Sequence, residues 1–305
     1  MIGGLSAVTP LISRISQLQS LSGLLSSLPS GLSSAIVQPQ TLTSGLSVAP
    51  PLQAETTSWV SRVQGLGGQP TTLGTAAVDA FFVAIKSSTY FSKLKLLHLF
   101  GGTTTIASAM APLKHPSNTA AALTGFSDSN YTPSGSGAGI QGNSSGYINH
   151  NFSLYGNLSG SSAAIGSYSK TSGAYGSVDD FGCNVSVSAL FVVSLKWSDG
   201  NTYAVAGELP NGGISISSPG DVGFSILSKT SASDARYYLN GTQYGIATAT
   251  TSPLSSSLNA FYSFASGAGF NVSPRKLAFS FASDGLTPTE ARAFSTAVSN
   301  LIGAI

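Results

Sequence analysis

The sequence contains little charge and almost no cysteine. Charged residues make up 8% of its 305 positions, far below the roughly 25% of an average soluble domain. A single cysteine, Cys183, excludes an internal disulfide framework and a cysteine-based zinc site. The net charge is +2 and the basic residues are scattered, so the phosphate contacts that drive nucleic-acid binding have no source. Serine, threonine, glycine and asparagine fill the surface role, as they do in virion parts, adhesins and secreted β proteins.

Long apolar runs are also missing. No segment has about 18 consecutive apolar residues, so membrane insertion is not predicted. The N-terminus lacks the basic region and the compact apolar core of a signal peptide. These absences leave the chain without a predicted route into a bilayer.

The first 54 residues instead carry an aliphatic stripe at helical spacing, and Arg14 is their one charged residue. The stripe consists of Leu11, Ile15, Leu18, Leu21, Leu25, Leu28 and Leu32. A lone apolar helix of this length is marginal in water, so we expect it to pack against another surface. That surface is this domain, a sister copy or a neighbouring protein. Because the rest of the chain supplies its own core, we predict an assembly arm formed by this helix and an extended linker.

Residues 55–115 show helical apolar spacing. Trp59, Val60 and Val63 fit a first helix, and the residues from Val78 to Ile85 fit a second. The apolar pattern continues from Tyr90 through Phe100. We therefore predict a helical segment that packs on the domain that follows.

From residue 116 the apolar period changes to two. Short β-rich runs alternate with Gly, Asn, Ser and Pro, which predicts an antiparallel sandwich. Asn240-Gly241 and Asp199-Gly200-Asn201 are predicted hairpin turns because Gly and Asn tolerate positive φ. Thr287 and Glu290 form a capping box that opens a C-terminal helix over 287–305. The predicted fold is mainly β: a two-sheet antiparallel jelly-roll sandwich over 116–305, with a preceding helical segment, a C-terminal helix and an N-terminal anchor.

Several segments occur in an order that resembles a known family. They are Trp59-Val-Ser-Arg-Val-Gln, Phe91-Ser-Lys-Leu-Lys-Leu-Leu, Gly139-Ile-Gln-Gly-Asn-Ser-Ser-Gly, Ala235-Arg-Tyr-Tyr-Leu-Asn-Gly and Phe279-Ser-Phe-Ala-Ser-Asp-Gly-Leu. Residues 55–305 are similar to the concanavalin A-like (laminin-G-like) jelly-roll modules of structural proteins in tailed bacteriophages and prophages. The resemblance implies a tail fibre, spike or decoration protein of a virion, and some relatives bind glycans. It transfers no binding residue to this chain.

Motifs for catalysis lack their structural context. Gly137–Gly142 matches GxGxxG and Gly142–Gly146 matches GxSxG, but strand-like residues rather than a helix follow each. His98, His115 and His150 show no metal-binding spacing, so neutral hydrogen-bonded imidazoles are expected. Adjacent Asp179 and Asp180 face opposite ways on a strand, which disfavours a glycosidase pair. A calcium site on Asp179, Asp180 or Asp199 has few oxygen ligands.

Tyrosines offer better contact material. The Gly/Ser/Tyr-rich segment 153–175 is predicted to be an adaptable contact loop, with Tyr155, Tyr168 and Tyr175 as candidate glycan contacts. We predict a non-enzymatic virion structural protein without a cofactor. It would dock through its arm on other virion proteins or identical copies and contact host-surface polysaccharide. A carbohydrate-binding adhesin or lectin is the alternative, and a glycan-degrading enzyme is a third.

Overall fold

The computed structural model describes residues 51–305 except 177, 187–188, 208–212, 218, 248–253 and 268–270. The predicted aliphatic stripe and most of its linker lie outside these residues. Residues Leu52–Ile305 form one compact unit. No described helix has the length and apolar character needed to cross a membrane.

Strands dominate this unit. In chain order they are β1 (Leu94–Leu99), β2 (Ala122–Thr124), β3 (Tyr131–Thr132), β4 (Gly139–Gln141), β5 (Tyr147–Asn149), β6 (Ala163–Ser169), β7 (Phe181–Ser186), β8 (Ala189–Ser194), β9 (Asn201–Gly207), β10 (Gly213–Ser217), β11 (Gly223–Ser231), β12 (Asp234–Leu239), β13 (Thr242–Ala247), β14 (Tyr262–Ser263) and β15 (Lys276–Ser283). They confirm the predicted change to a β-rich region. Asn240 and Gly241 have φ of 51° and 78°, as the predicted β12–β13 turn requires.

The strands form two antiparallel sheets, which confirms the predicted sandwich. The eight-stranded sheet has the order β13-β12-β11-β6-β15-β4-β3, and β1 pairs with β15 beside β4. The seven-stranded sheet has the order β10-β9-β8-β7-β14-β5-β2. Large apolar side chains from both sheets, including Phe181, Phe191 and Tyr237, fill the space between them. Alternation along each strand assigns these residues to the interior.

Three of the described helices cover the outer face of the eight-stranded sheet: α1 (Ala54–Gly65), α2 (Thr72–Lys86) and α4 (Pro288–Ala304). The helix α3 (Leu154–Asn157) is a single turn between β5 and β6. Phe294 of α4 packs edge-on against Phe281 of β15, with ring centroids 4.9 Å apart. The Thr287 hydroxyl accepts the Glu290 N–H, and the Glu290 carboxylate accepts the Thr287 N–H. The predicted capping box and C-terminal helix are therefore confirmed.

The helical prediction for residues 90–100 is wrong, because Leu94–Leu99 is strand β1. Leu96 faces the core between the sheets, whereas Leu94, Leu97 and Leu99 join the core under the helices. A strand buried on both faces has a continuous apolar run, and such a run satisfies helical spacing by chance. Pairing of β1 with β15 over Leu99↔Phe279 to Leu94↔Ser283 decides the conformation.

Candidate functional site

The outer face of the seven-stranded sheet carries a cleft of about 410 Å³. Its lining comes from strands β7, β8 and β9 and from three connecting segments, which contribute Asp179, Trp197 and Asn271. The lining residues are Asp179, Asn184, Leu190, Val192, Ser194, Trp197, Tyr203, Val205 and Asn271. A volume of this size lies within the range of small-molecule sites, which is roughly 300–1,000 Å³.

Strand alternation places an apolar floor in this cleft. Phe191 and Val193 of β8 point into the sandwich core, so Leu190 and Val192 point outward. With Val205 of β9 they form a separate apolar cluster, and the three side chains are 5%, 5% and 8% exposed. Their low exposure on an outward face means that the surrounding side chains enclose them.

Two aromatic side chains stand over the floor. The Trp197 and Tyr203 rings meet edge-to-face, with centroids 5.7 Å apart and planes at 75°. The β8–β9 hairpin positions them: Gly200 turns the chain at φ +84°, and the Trp197 N–H donates to the Asn201 carbonyl at 2.8 Å. This confirms the predicted hairpin turn, which holds Trp197 of the loop close to Tyr203 of β9.

Asp199 in the same turn fixes the Tyr203 hydroxyl. That hydroxyl donates to Asp199 Oδ2 at 2.6 Å, and the Asn201 N–H donates to Oδ1 at 2.9 Å. These hydrogen bonds, that from Tyr203 first, lower the pKa of the Asp199 carboxyl. The carboxylate is therefore charged at neutral pH beside the aromatic pair.

Polar groups converge at one end of the cleft around Asp179. Its Oδ1 accepts the Ser194 hydroxyl at 2.7 Å, and its Oδ2 accepts the Ser266 hydroxyl at 2.6 Å. The Asn271 amide also donates to Oδ2, at 3.1 Å. These neutral donors hold a carboxylate and an amide at a fixed place next to the apolar floor.

A buried ionic cluster supports this end from beneath. Arg275 is fully buried, with Nε 3.0 Å from Asp180 Oδ1 and Nη1 2.9 Å from Asp221 Oδ2. The Nε contact is an ion pair without hydrogen-bond alignment. Burial would raise the pKa of the Asp221 carboxyl, but donors from Gly173, Ser172 and Arg275 hold it below its ordinary value. Asp180 precedes β7 and follows Asp179, so the cluster anchors the segment that carries the cleft carboxylate.

The carboxylates considered for calcium are already occupied. Asp179 and Asp199 accept protein N–H and O–H groups, and Asp180 faces the Arg275 guanidinium. A hard cation would have to displace these donors. Within the described part of the chain, no group of three or more His, Cys, Asp or Glu side chains is placed to hold a metal.

The catalytic motifs do not assemble into sites. Ser144 lies in the turn between β4 and β5, where Asn143 Oδ1 accepts the Ser145 N–H at 2.9 Å. His150, the histidine downstream of it, is buried and bonded to His98 at 3.1 Å. The GxGxxG glycines lead into β4 and this turn rather than into a helix. Neither motif therefore has the geometry that its chemistry requires.

The three candidate contact tyrosines lie in three different places. Tyr155 is 51% exposed on α3, and the Tyr175 ring lies over the Arg275 guanidinium, with its centroid 5.0 Å from Cζ. Tyr168 borders a different depression, of about 560 Å³, together with Leu73 and Val222. None of the three lines the Trp197 cleft. A glycan-contact role for each stays a prediction.

The prediction that residues 153–175 form one contact loop is wrong in its middle. Residues Ala163–Ser169 are β6, which pairs with β11 and β15 in the eight-stranded sheet. Ser and Gly there reflect close packing: a Cβ on Gly166 would lie 2.3 Å from the Ser225 carbonyl oxygen. The glycine and serine content of this segment is typical of a loop, but here the strand needs small residues at its contact with Ser225.

The Trp197–Tyr203 cleft was not predicted from the sequence, although part of its signal is there. Period-two alternation places Tyr203 and Val205 on one face of β9, and an Asp-Gly-Asn turn separates Tyr203 from Trp197. Two aromatic residues around a tight hairpin on an outward face would have pointed to this site. The contribution of Asn271 could not be predicted from the sequence, because Asn271 lies 92 positions from Asp179.

Comparisons with known proteins give likeness in fold. No family model matches the chain, and no curated protein matches it. Domain 4 of AbnA, a GH43 extracellular arabinanase from Geobacillus stearothermophilus solved with arabinotriose, is similar over 67% of this chain and 99% of that domain, with 15% identity and a TM-score of 0.44. Trypanosoma rangeli sialidase is similar over 75% of this chain and 38% of the sialidase, with 10% identity and a TM-score of 0.47. Likeness at this level says nothing about activity or ligand.

Proposed function

We propose that this protein binds carbohydrate through the Trp197–Tyr203 cleft, as a non-enzymatic structural protein of a virion. The observation that carries the binding proposal is the combination of a fixed aromatic pair, an apolar floor and convergent polar groups in one cleft. Aromatic rings offer rigid area for the apolar faces of a sugar ring. Amide and carboxylate groups supply the hydrogen bonds that hydroxyls require.

Asn184 and Asn271 fit this role. The Asn184 side chain lines the cleft and makes no side-chain hydrogen bond to another described residue, and its amide can both donate to and accept from a sugar hydroxyl. The Asn271 amide donates one N–H to Asp179 and makes no further side-chain hydrogen bond to a described residue. Asp179 accepts three hydrogen bonds, which leaves room for one hydroxyl.

A binding role without hydrolysis is supported by the state of the carboxylates. Asp180 and Asp221 both pair with the Arg275 guanidinium. Their carboxyl groups are only 0% and 4% exposed, so a substrate cannot lie between them. A glycosidase needs two carboxyl groups on either side of the bond that is cleaved. Incubation with each bound polysaccharide should therefore release no new reducing ends, and sustained release that depends on Asp179 would contradict this part of the proposal.

The experiment for binding uses the full chain on a glycan array, followed by tryptophan fluorescence titration of each hit. Trp59 is buried in the helical layer and Trp197 is half-buried in the cleft, so a bound sugar should change the Trp197 signal alone. Trp197→Ala removes this fluorophore, so the variant is measured on the array and by isothermal titration calorimetry. It should weaken binding about fivefold or more, because stacking on an aromatic ring is worth about 1 kcal/mol or more.

The matched control is Tyr244→Ala, since Tyr244 is an exposed tyrosine on β13, outside the cleft. It should bind as the unmodified protein does. A glycan that binds equally well to the Trp197→Ala variant, but is lost on changing Tyr155, Tyr168 and Tyr175 to alanine, would move the contact surface to those tyrosines. An array without any hit would remove the carbohydrate proposal.

Display on a virion is supported by the family resemblance, the low charge and the aliphatic stripe of the first 54 residues. The arm would dock on other virion proteins or on identical copies. Leu18→Asp with Leu25→Asp should abolish self-association or capture by particles, measured by sedimentation, whereas Ser20→Asp with Ser27→Asp adds the same charge and should not. Unchanged mass and unchanged particle capture in the leucine variant would contradict docking through the stripe.

A further inference from the structure

The charged side chains that line the cleft, or that hydrogen-bond to a lining side chain at its edge, are of one sign. Asp179 lines it, and Asp199 holds the Tyr203 hydroxyl at its edge. Among the described residues neither carboxylate has a cationic partner within 4.0 Å, and the lining contains no Lys, Arg or His. A ligand in this cleft therefore meets negative charge that no cation at the site offsets.

The cation beneath the cleft does not reverse this sign. Arg275 is fully buried and bound to Asp180 and Asp221. Burial raises the pKa of the Asp180 carboxyl, but with Asp221 ionised the one guanidinium is already balanced, so the cluster carries no net positive charge. Salt screens a partly buried charge less than an exposed one, so the repulsion from Asp179 is reduced but not removed at physiological ionic strength. Lys196 precedes Trp197 in the hairpin, but its side chain is not part of the lining.

The floor adds a second selective element. Leu190, Val192 and Val205 present only aliphatic surface at the base of the cleft. A ligand hydroxyl directed at them would lose its hydrogen bonds to water without replacement. A methyl group placed there would gain from burial.

We infer that the cleft selects uncharged sugars, favours those that carry a methyl group, as N-acetylated and 6-deoxy sugars do, and rejects acidic sugars. This inference rests on the proposed carbohydrate-binding function and specifies its ligand. A sugar carboxylate within about 6 Å of Asp179 is repelled strongly enough at a partly buried site to lose at least tenfold in affinity. A methyl group buried on the floor gains roughly fourfold.

The test uses the full chain and three matched sets of methyl glycosides, built on the glucose, galactose and mannose rings. Each set contains the neutral hexose, its uronic acid and its N-acetylated or 6-deoxy form. Trp197 fluorescence reports binding to the proteins that keep this residue, and isothermal titration calorimetry measures the Trp197→Ala variant. Within the set that binds, we expect the uronic acid to bind at least tenfold more weakly than the neutral sugar, and the methylated form about fourfold more tightly.

Asp179→Asn, which keeps the shape of the side chain, separates charge from geometry. It should narrow the gap between neutral and acidic sugars by bringing the uronic acid closer to the neutral hexose. The unmodified protein gives a second measurement that does not depend on folding of the variant: the penalty for the uronic acid should shrink as salt rises from 20 mM to 500 mM, while the neutral sugar is unaffected.

The possible results separate the inference from the function on which it rests. Binding of a uronic acid as tight as that of its neutral partner, and lost in Trp197→Ala, would overturn the selectivity and leave carbohydrate binding intact. A penalty that changes neither with Asp179→Asn nor with salt would show that repulsion is not its cause and would also overturn the inference. Failure of every set and of the array would remove the proposed function itself.

Discussion

The Nδ1 atoms of His98 and His150 lie 3.1 Å apart in the buried interior. His98 Nε2 donates to the Ala109 carbonyl oxygen at 2.9 Å, so its Nδ1 is the acceptor and His150 Nδ1–H is the donor. His150 Nε2 then accepts the Ser263 hydroxyl at 2.8 Å. Each imidazole is neutral, with one tautomer assigned by its partners. The expectation of neutral hydrogen-bonded histidines is met for this pair.

This pair predicts a loss of stability in mild acid. Burial lowers the pKa of His98 to about 4. Burial, together with the neighbouring His98, also lowers the pKa of His150 well below its ordinary value. Unfolded histidine titrates near 6.5, so the unfolded chain binds more protons between these values. The contribution of this pair to the free energy of unfolding should therefore be constant above about pH 7. It should fall as the pH drops from 6.5 toward 4, by up to roughly 1.4 kcal/mol per pH unit for each histidine.

Urea denaturation at pH 7.5, 6 and 5 measures this slope. The pKa of His115 is also lowered by burial, so the His115→Gln variant is the control that leaves the pair alone. Its slope should remain positive over the same range. A free energy of unfolding that does not change between pH 7 and 5 in this variant would show that the pair is charged or exposed.

Replacing Arg275 by methionine should be strongly destabilising. The substitution leaves Asp180 and Asp221 buried without their cation, which costs about 3–5 kcal/mol in comparable cases. Arg236→Met is the matched control, because the Arg236–Asp234 pair is half-exposed and worth about 1 kcal/mol or less. Chemical denaturation of both variants gives the comparison. Equal losses would mean that Arg275 contributes no more than a surface pair.

Removing the α4 cap should cost about 1 kcal/mol. Thr287→Ala loses the hydroxyl that accepts the Glu290 N–H at the helix start. Thr296→Ala serves as the control, since the Thr296 hydroxyl bonds the Arg292 carbonyl inside the same helix, where alanine has the higher helix propensity. That control should be neutral or slightly stabilising in the same denaturation assay. A larger loss for Thr296→Ala than for Thr287→Ala would contradict the capping assignment.

Two helical glycines should respond oppositely to alanine. A Cβ on Gly74 of α2 would lie 2.3 Å from the Gly102 carbonyl oxygen and 2.7 Å from its Cα, so the backbone must move. We expect Gly74→Ala to destabilise by about 1–3 kcal/mol. Gly303 of α4 has open space around it, and Gly303→Ala should stabilise by up to about 1 kcal/mol. Thermal melts of both variants decide the matter, and a neutral Gly74→Ala would disprove the close helix-to-turn contact.

Local signals in the sequence predicted the fold where local chemistry controls it. The Thr287–Glu290 cap, the Asn240-Gly241 turn and the period-two strands all form as predicted. β1 escaped prediction because its partner β15 lies about 180 positions away, and that pairing outweighs the helical spacing of its leucines. The periodicity of apolar residues is a local property, so it does not indicate which distant strand a segment pairs with.

The candidate site was less predictable for the same reason. Asp179 meets Asn271 across 92 positions, and His98 meets His150 across 52. Only the Trp197–Tyr203 hairpin is local in sequence. Its two aromatic residues look like core residues unless it is known which face of each strand packs in the core. Tyrosine content alone favoured Tyr155, Tyr168 and Tyr175, which the folded chain separates.

The helices cover only one of the two sheets, so the two faces of the unit differ. α1, at the beginning of the described chain, and Ile305, at its end, both belong to the helical layer, whereas the cleft opens on the other sheet. Attachment through α1 or through Ile305 therefore leaves the cleft unobstructed. Copies tethered side by side would present parallel openings to a surface that bears repeated sugars. Avidity could then raise a weak single-site affinity a hundredfold or more without any new contact.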